Sequence, residues 1–211
     1  MARAEPAQRN GGTREVILRT AERLFAERGF AATSVRDIVG EAGTSAPSLY
    51  HFFGSKENLV VELINDRHTA YCDALESNLT VAKTPFDVSQ RFVKFVLTNM
   101  TKRPTSAKFV LGIMFGPQQD VPKEAVGETL MRSQQILQVR LREVSDGVSE
   151  SRIVFARMML LGMVTPAVLL FLTSGVQSFS PKLPGCIAHR IVDMLTDAHP
   201  TCAWPSVESF S

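Results

Sequence analysis

Between Gly29 and Ser55 the chain alternates helix stops and helix starts too quickly for any long element. Glycine stands at 29, 43 and 54, the residue type that closes a helix by turning left-handed at no steric cost. After each comes a hydroxyl side chain suited to accept from a free helical N–H: Thr33 or Ser34, then Ser45, then Ser55. Ser34 and Asp37 have the spacing of a capping box, and Val35, Ile38 and Val39 supply one apolar face. Two short helices, 34–42 and 46–52, follow from this, joined by a turn containing Gly43. That is a helix-turn-helix. A helix capped by Thr13, with its apolar stripe at Ile17, Ala21, Leu24 and Phe25, precedes the pair. A long helix from Ser55 to about Val81 follows it.

The second short helix begins "SAPSLYHFF". Pro47 falls in the first turn, where a missing N–H has no intrahelical partner to lose. Leu49, Phe52 and Phe53 are read as core. Tyr50 and His51 lie off that face, and a phenol and an imidazole there reach phosphate oxygens. The free amides opening the helix after Ser55, with Lys56 beside them, also suit a phosphate. In a helix-turn-helix the first residues of the second helix meet base edges in the major groove.

The segment "TREVILRTAERLFAERGFAATSVRDIVGEAGTSAPSLYHFFGSKENLVVELI" resembles the DNA-binding domain of the tetracycline-repressor (TetR) family. The marks run in order: the amphipathic first helix, the "LFAERGF" exit, "TSVRDIVGEAG", and "SLYHFFGSKENL". They cover residues 13 to about 64. Thr44, Val39 and Asn58 depart from the family pattern, where an aliphatic residue, an alanine and an acidic residue are usual. The resemblance implies a homodimer, an all-helical regulatory domain, and a repressor released by a small ligand. Carried over residue by residue, it makes Thr33, Ser45, Tyr50, His51 and Lys56 phosphate contacts. Ala46, Pro47 and Ser48 become base-edge contacts, and Arg36 a contact to either. Ala46 and Pro47 offer no donors, so readout there is van der Waals contact, with thymine methyls as one target. The two copies would address half-sites about one DNA turn apart, a palindromic operator on double-stranded DNA.

The remaining chain is cut by Pro85, Pro104, Gly116-Pro117, Pro122, Gly147, Gly175, Pro181 and Pro184-Gly185 into helix-length pieces near 86–102, 105–115, 123–145, 149–174 and 186–198. No period-two run or Asn-Gly hairpin signals a strand. The expected fold is all-α. Residues 1–12 form a disordered arm, 13–54 the helix-turn-helix domain, 55–199 a helical regulatory and dimerisation domain, and 200–211 a flexible tail. Arg3, Arg9 and Arg14 read either as an arm along DNA or as part of a solvated tail.

The stretch "MMLLGMVTPAVLLFL", 158–172, is shorter than the roughly 20 apolar residues of a membrane span, and Arg157 abuts it. No membrane association is expected, and the N-terminus has no apolar signal region. A helix apolar almost all round must be covered on more than one side. A dimer interface is expected at Leu160, Leu161, Val164, Val168, Ile187, Ile191 and Leu195. A pocket for a small apolar effector is expected from flexible and aromatic side chains: Phe92, Phe95, Met100, Phe109, Met114, Met131, Met159, Met163 and Phe171, with Gln134 as a polar fixing point.

Net charge is +2, so a nucleic-acid surface must be a local patch. Three widely spaced cysteines, Cys72, Cys186 and Cys202, fit reduced thiols in a cytoplasmic protein and no metal site. No nucleophile elbow, P-loop or zinc-protease motif occurs, so no enzyme and no cofactor are expected. The expected protein is a homodimeric repressor released from its operator by a small apolar ligand. The competing expectation is a helical partner-binding or structural protein without sequence-specific DNA binding.

Overall fold

The computed structural model describes residues 6–115, 123–174, 176 and 178–196. Among them are nine helices and no strand: α1 (Pro6–Arg28), α2 (Val35–Glu41), α3 (Ala46–Phe53), α4 (Lys56–Thr80), α5 (Pro85–Lys102), α6 (Pro104–Phe115), α7 (Lys123–Glu143), α8 (Glu150–Ser174) and α9 (Leu183–Thr196). Helix α1 starts ahead of the expected cap at Thr13 and takes in residues 6–12 of the expected arm. Residues 1–5 and the expected tail at 200–211 lie outside the described residues. Helix α9 begins before Pro184-Gly185, not after it. Pro184 is its second residue, where no intrahelical N–H is needed.

The chain divides into two compact units: residues 1–69 with 103–129, and residues 70–102 with 130–211. The first is larger than the expected helix-turn-helix domain. The boundary expected after Gly54 falls inside it, and it takes in the start of α4 and all of α6. Its core gathers Ile17, Leu18, Leu24 and Phe25 of α1, Ile38 of α2, Leu49 and Phe53 of α3, Leu59 and Leu63 of α4, and Phe109 and Ile113 of α6. The Phe25 and Phe109 rings stack with centroids 6.1 Å apart. One buried carboxylate ties the same helices together. Glu22 of α1 accepts from Arg67 Nε of α4 at 3.1 Å and from the Ser106 hydroxyl of α6. A buried charge with both an ion pair and a hydroxyl donor is compensated.

In the second unit α5, α8 and α9 pack on one another. Their inward residues include Val88, Phe92, Val93 and Leu97 of α5, Leu160, Val164 and Phe171 of α8, and Ile187, Ile191 and Leu195 of α9. Helix α8 is long and apolar enough, by length and composition, to cross a membrane. Its buried stripe, Ile153, Val154, Ala156, Leu160, Val164, Ala167, Val168 and Phe171, is the pattern of a core helix. Pro166 lies inside it and removes one backbone donor on the exposed side.

Phe109 was expected in an effector pocket, and instead it is a core residue of the first unit. Phe109→Ala should therefore destabilise the ligand-free protein by about 3–5 kcal/mol in urea unfolding. A loss below about 1 kcal/mol would remove it from that core.

Candidate nucleic-acid interface

Helix α2 opens on Ser34, the alternative to Thr33 that the sequence left open. The Asp37 amide donates to Ser34 Oγ at 3.2 Å, and the Ser34 amide donates to Asp37 Oδ2 at 2.9 Å, closing the capping box. The hydrogen bonds from Ser34 hold the Asp37 carboxyl below its ordinary range. The turn passes through Gly43 at φ 62°, and the Thr44 amide returns to the Val39 carbonyl at 3.0 Å. Ser45 then caps α3. Its Oγ accepts from the Ser48 amide and lies 2.9 Å from Ser48 Oγ, so both hydroxyls are held at the start of the helix. Pro47 occupies the second helical position.

Leu49 and Phe53 are buried, one helical turn apart. Helical geometry then turns Pro47, Tyr50 and His51 outward together, at the i, i+3, i+4 spacing of one face. Tyr50 is 50% exposed, and Pro47 and His51 are exposed too. Ser45 and Arg36 are exposed, while Ala46 and Ser48 are half-buried. Phe52, expected in the core, is half-buried, with its ring edge-on to Phe53. Gly54, at φ 76°, ends α3. Ser55 Oγ accepts from the Asn58 amide at 3.0 Å to open α4.

Two expected phosphate contacts are corrected. Thr33 is fully buried, and its hydroxyl donates to the Gly29 carbonyl at 2.8 Å, which leaves it nothing to offer DNA. Lys56 Nζ donates to the carbonyls of Phe30 at 3.1 Å and Thr33 at 3.0 Å, and stands 4.1 Å from the centroid of the Phe30 ring. It holds the α1–α2 connection to the start of α4. Neither contact is visible from spacing, because Lys56 reaches more than twenty residues back along the chain. Arg14 pairs with Glu62 and lies 5.6 Å from the Phe53 ring centroid, so it belongs to the folded head and not to an arm.

The expected effector residues scatter. Phe109 belongs to the first unit. Met131 is 55% exposed and Met159 is exposed, so neither lines an interior. The Met114 side chain lies outside the described residues. Phe92, Met100 and Phe171 are buried in the second unit, with Phe95, Met163 and Gln134 half-buried there. The expected dimer residues are corrected as well. Leu160, Val164, Val168, Ile187, Ile191 and Leu195 are buried inside the chain's own second unit, and Leu161 is half-buried.

Residues 17–63 match the family described as "Bacterial regulatory proteins, tetR family". They form a TetR-family DNA-binding domain. The chain is 27% identical to the HTH-type transcriptional regulator LmrA of Bacillus subtilis over 84% of this chain and 95% of that protein. It is 46% identical to the HTH-type transcriptional repressor KstR2 of Mycolicibacterium smegmatis over 30% of this chain and 29% of that protein. It is 36% identical to the regulator YxaF of Bacillus subtilis over 40% of this chain and 44% of that protein. The chain thus spans less than half the length of these last two relatives. In three dimensions the TetR-like fold extends further. A TetR family transcription regulator from Marinobacter aquaeolei superimposes with TM-score 0.71 at 19% identity, over 90% of this chain and 99% of that one. FadR from Bacillus subtilis, solved in complex with stearoyl-CoA, superimposes with TM-score 0.68 at 17% identity, over 88% and 99%.

Lys56→Ala should cost about 1.5–3 kcal/mol of stability through its two charge-assisted hydrogen bonds, and leave the salt slope of DNA binding essentially unchanged. An unaltered melting temperature with a slope reduced by about one would restore Lys56 as a phosphate contact.

Proposed function

We propose that this protein is a transcriptional repressor, a cytoplasmic homodimer that inserts α3 of each copy into the major groove of a palindromic operator. The observation carrying this reading is the outward face of α3. Pro47, Tyr50 and His51 stand clear of a helix pinned by Leu49 and Phe53, next to a Ser45 cap whose hydroxyl is held at the helix start. Ser45, Tyr50 and His51 take phosphates in this reading. Ala46, Pro47 and Ser48 meet base edges, and Arg36 of α2 reaches phosphate or base.

The second copy is supported by the side of α8 opposite its buried stripe. Met158, Met159, Gly162, Pro166, Leu169 and Leu170 are exposed along several turns, with Leu169 at 45% and Leu170 at 48%. A Cβ built on Gly162 meets nothing within 4 Å. A continuous apolar strip of this kind is what a two-fold interface buries, the same patch on both copies. The effector in this reading is a small molecule with an apolar body, taken up in the second unit near Phe92, Phe95, Met163 and Phe171. It releases the operator only if it binds one state of the protein better than the other, and a coupling of about 1–3 kcal/mol weakens DNA binding roughly 5- to 150-fold. Helix α4 has residues in both units and is the element through which that preference passes.

Selection from a random duplex pool should enrich a palindrome with half-sites about one turn apart. Weak binding that falls with salt, with no enriched sequence, would favour a helical partner-binding protein and overturn the operator reading. Leu169→Glu should leave a monomer in light scattering and abolish preference for the full palindrome over a half-site, whereas an intact dimer would remove the α8 strip from the interface.

A further inference from the structure

Most arginines of the second unit have an anionic or carbonyl partner. Arg132 pairs with Asp73, Arg140 with Glu143, Arg142 with Glu150 and Arg190 with Asp193. Arg91 and Arg152 donate to the carbonyls of Asn78 and Met194, in the last turns of α4 and α9, where the helix dipole favours a cation. Arg157 is different. It lies on α8 between the buried residues Val154 and Leu160, on the stripe that faces inward. It forms no ion pair with any described residue. Its one described hydrogen bond runs from Nη1 to Gln134 Oε1, a neutral amide in the middle of α7. Its Nε is buried with no acceptor among the described residues. Glu150, two turns earlier on α8, is already taken by Arg142 and Gln138. Burial pushes the Arg157 guanidinium down from its ordinary value, opposite in direction to Arg142, which its carboxylate partner raises. A half-buried cation without counter-charge is costly. With Nη1 held by Gln134, the Nε–Nη2 edge is left, the fork whose N–H groups donate to two oxygens of one oxyanion.

We propose that Arg157, oriented by Gln134, anchors an oxyanion on the effector, so that the ligand is an amphipathic acid, a hydrocarbon body ending in a carboxylate or a phosphate monoester. The inference rests on the effector reading above and adds a charge to a ligand otherwise described as apolar. The hydrocarbon lies against the apolar side chains of the second unit, and the acid supplies a counter-charge that no described residue gives Arg157. The cation is present before the ligand arrives, so the acid gains a partner while the protein loses an unbalanced charge.

The test uses the full chain and three matched probes, dodecanoate, dodecyl phosphate and dodecan-1-ol, each below its aggregation limit, with calorimetric binding and melting temperature as readouts. The expected result is that at least one of the two anions binds on the order of tenfold to a hundredfold tighter than the alcohol. Preference for dodecanoate over dodecyl phosphate, or the reverse, identifies the acid. Arg157→Met should erase that preference while keeping affinity for the alcohol, and Arg157→Lys should retain part of it. Ligand-free Arg157→Met should melt at or above the parent and bind the selected duplex as the parent does. Equal binding of alcohol and anions overturns the anchor and leaves the apolar-effector reading standing. Failure of all three probes to bind counts against both. A lower melting temperature for ligand-free Arg157→Met overturns the anchor on its own, since it makes the arginine a structural residue.

Discussion

The burial of Leu49 and Phe53 against the core of the first unit is the constraint from which the rest of the reading head follows. An α-helix of eight residues has little stability alone, and α3 owes its place to those two side chains. Once they are seated, the 3.6-residue period leaves no freedom in what faces outward. Pro47, Tyr50 and His51 must point away, and Ser45 must stand at the outer end. The platform is built from helices distant in sequence. Leu24 and Phe25 of α1 and Phe109 of α6 share one core. Glu22 is held by Arg67 and Ser106, so α1, α4 and α6 are also joined by a buried polar contact.

Much of this head was legible in the chain because its signals are local. Capping boxes, glycine stops and a first-turn proline act within four residues, and Ser34, Ser45, Ser55, Gly43 and Gly54 do what their spacing implies. The roles of Thr33 and Lys56 were not legible for the opposite reason. Thr33 turns inward to the Gly29 carbonyl because the packing of α1 and α2 buries it, and Lys56 folds back over the Phe30 and Thr33 carbonyls, more than twenty residues away. Phe109 is a harder case. Nothing in "SAKFVLGIMF" says that α6 packs on α1 in place of the helices nearest to it in sequence.

Helix α8 shows a different limit. A helix with apolar residues around its whole circumference has no amphipathic period, so periodicity names the helix and is silent about which face is inside. Packing against α5 and α9 decides it, placing Leu160, Val164 and Val168 inward and Met158, Gly162, Pro166, Leu169 and Leu170 outward. In the sequence Arg157 abuts the apolar run 158–172. Its position on the inward stripe, with one neutral partner and one unsatisfied nitrogen, emerges only when α7 is laid beside α8.

The outward face of α3 is the surface proposed to read DNA. Amide hydrogen exchange of the full chain, alone and with the duplex enriched by selection, addresses it directly. Slowed exchange is expected in the α2–α3 turn and through residues 45–54, with no comparable change along the exposed strip of α8. Unchanged exchange at α3, with protection appearing on another surface, would contradict it.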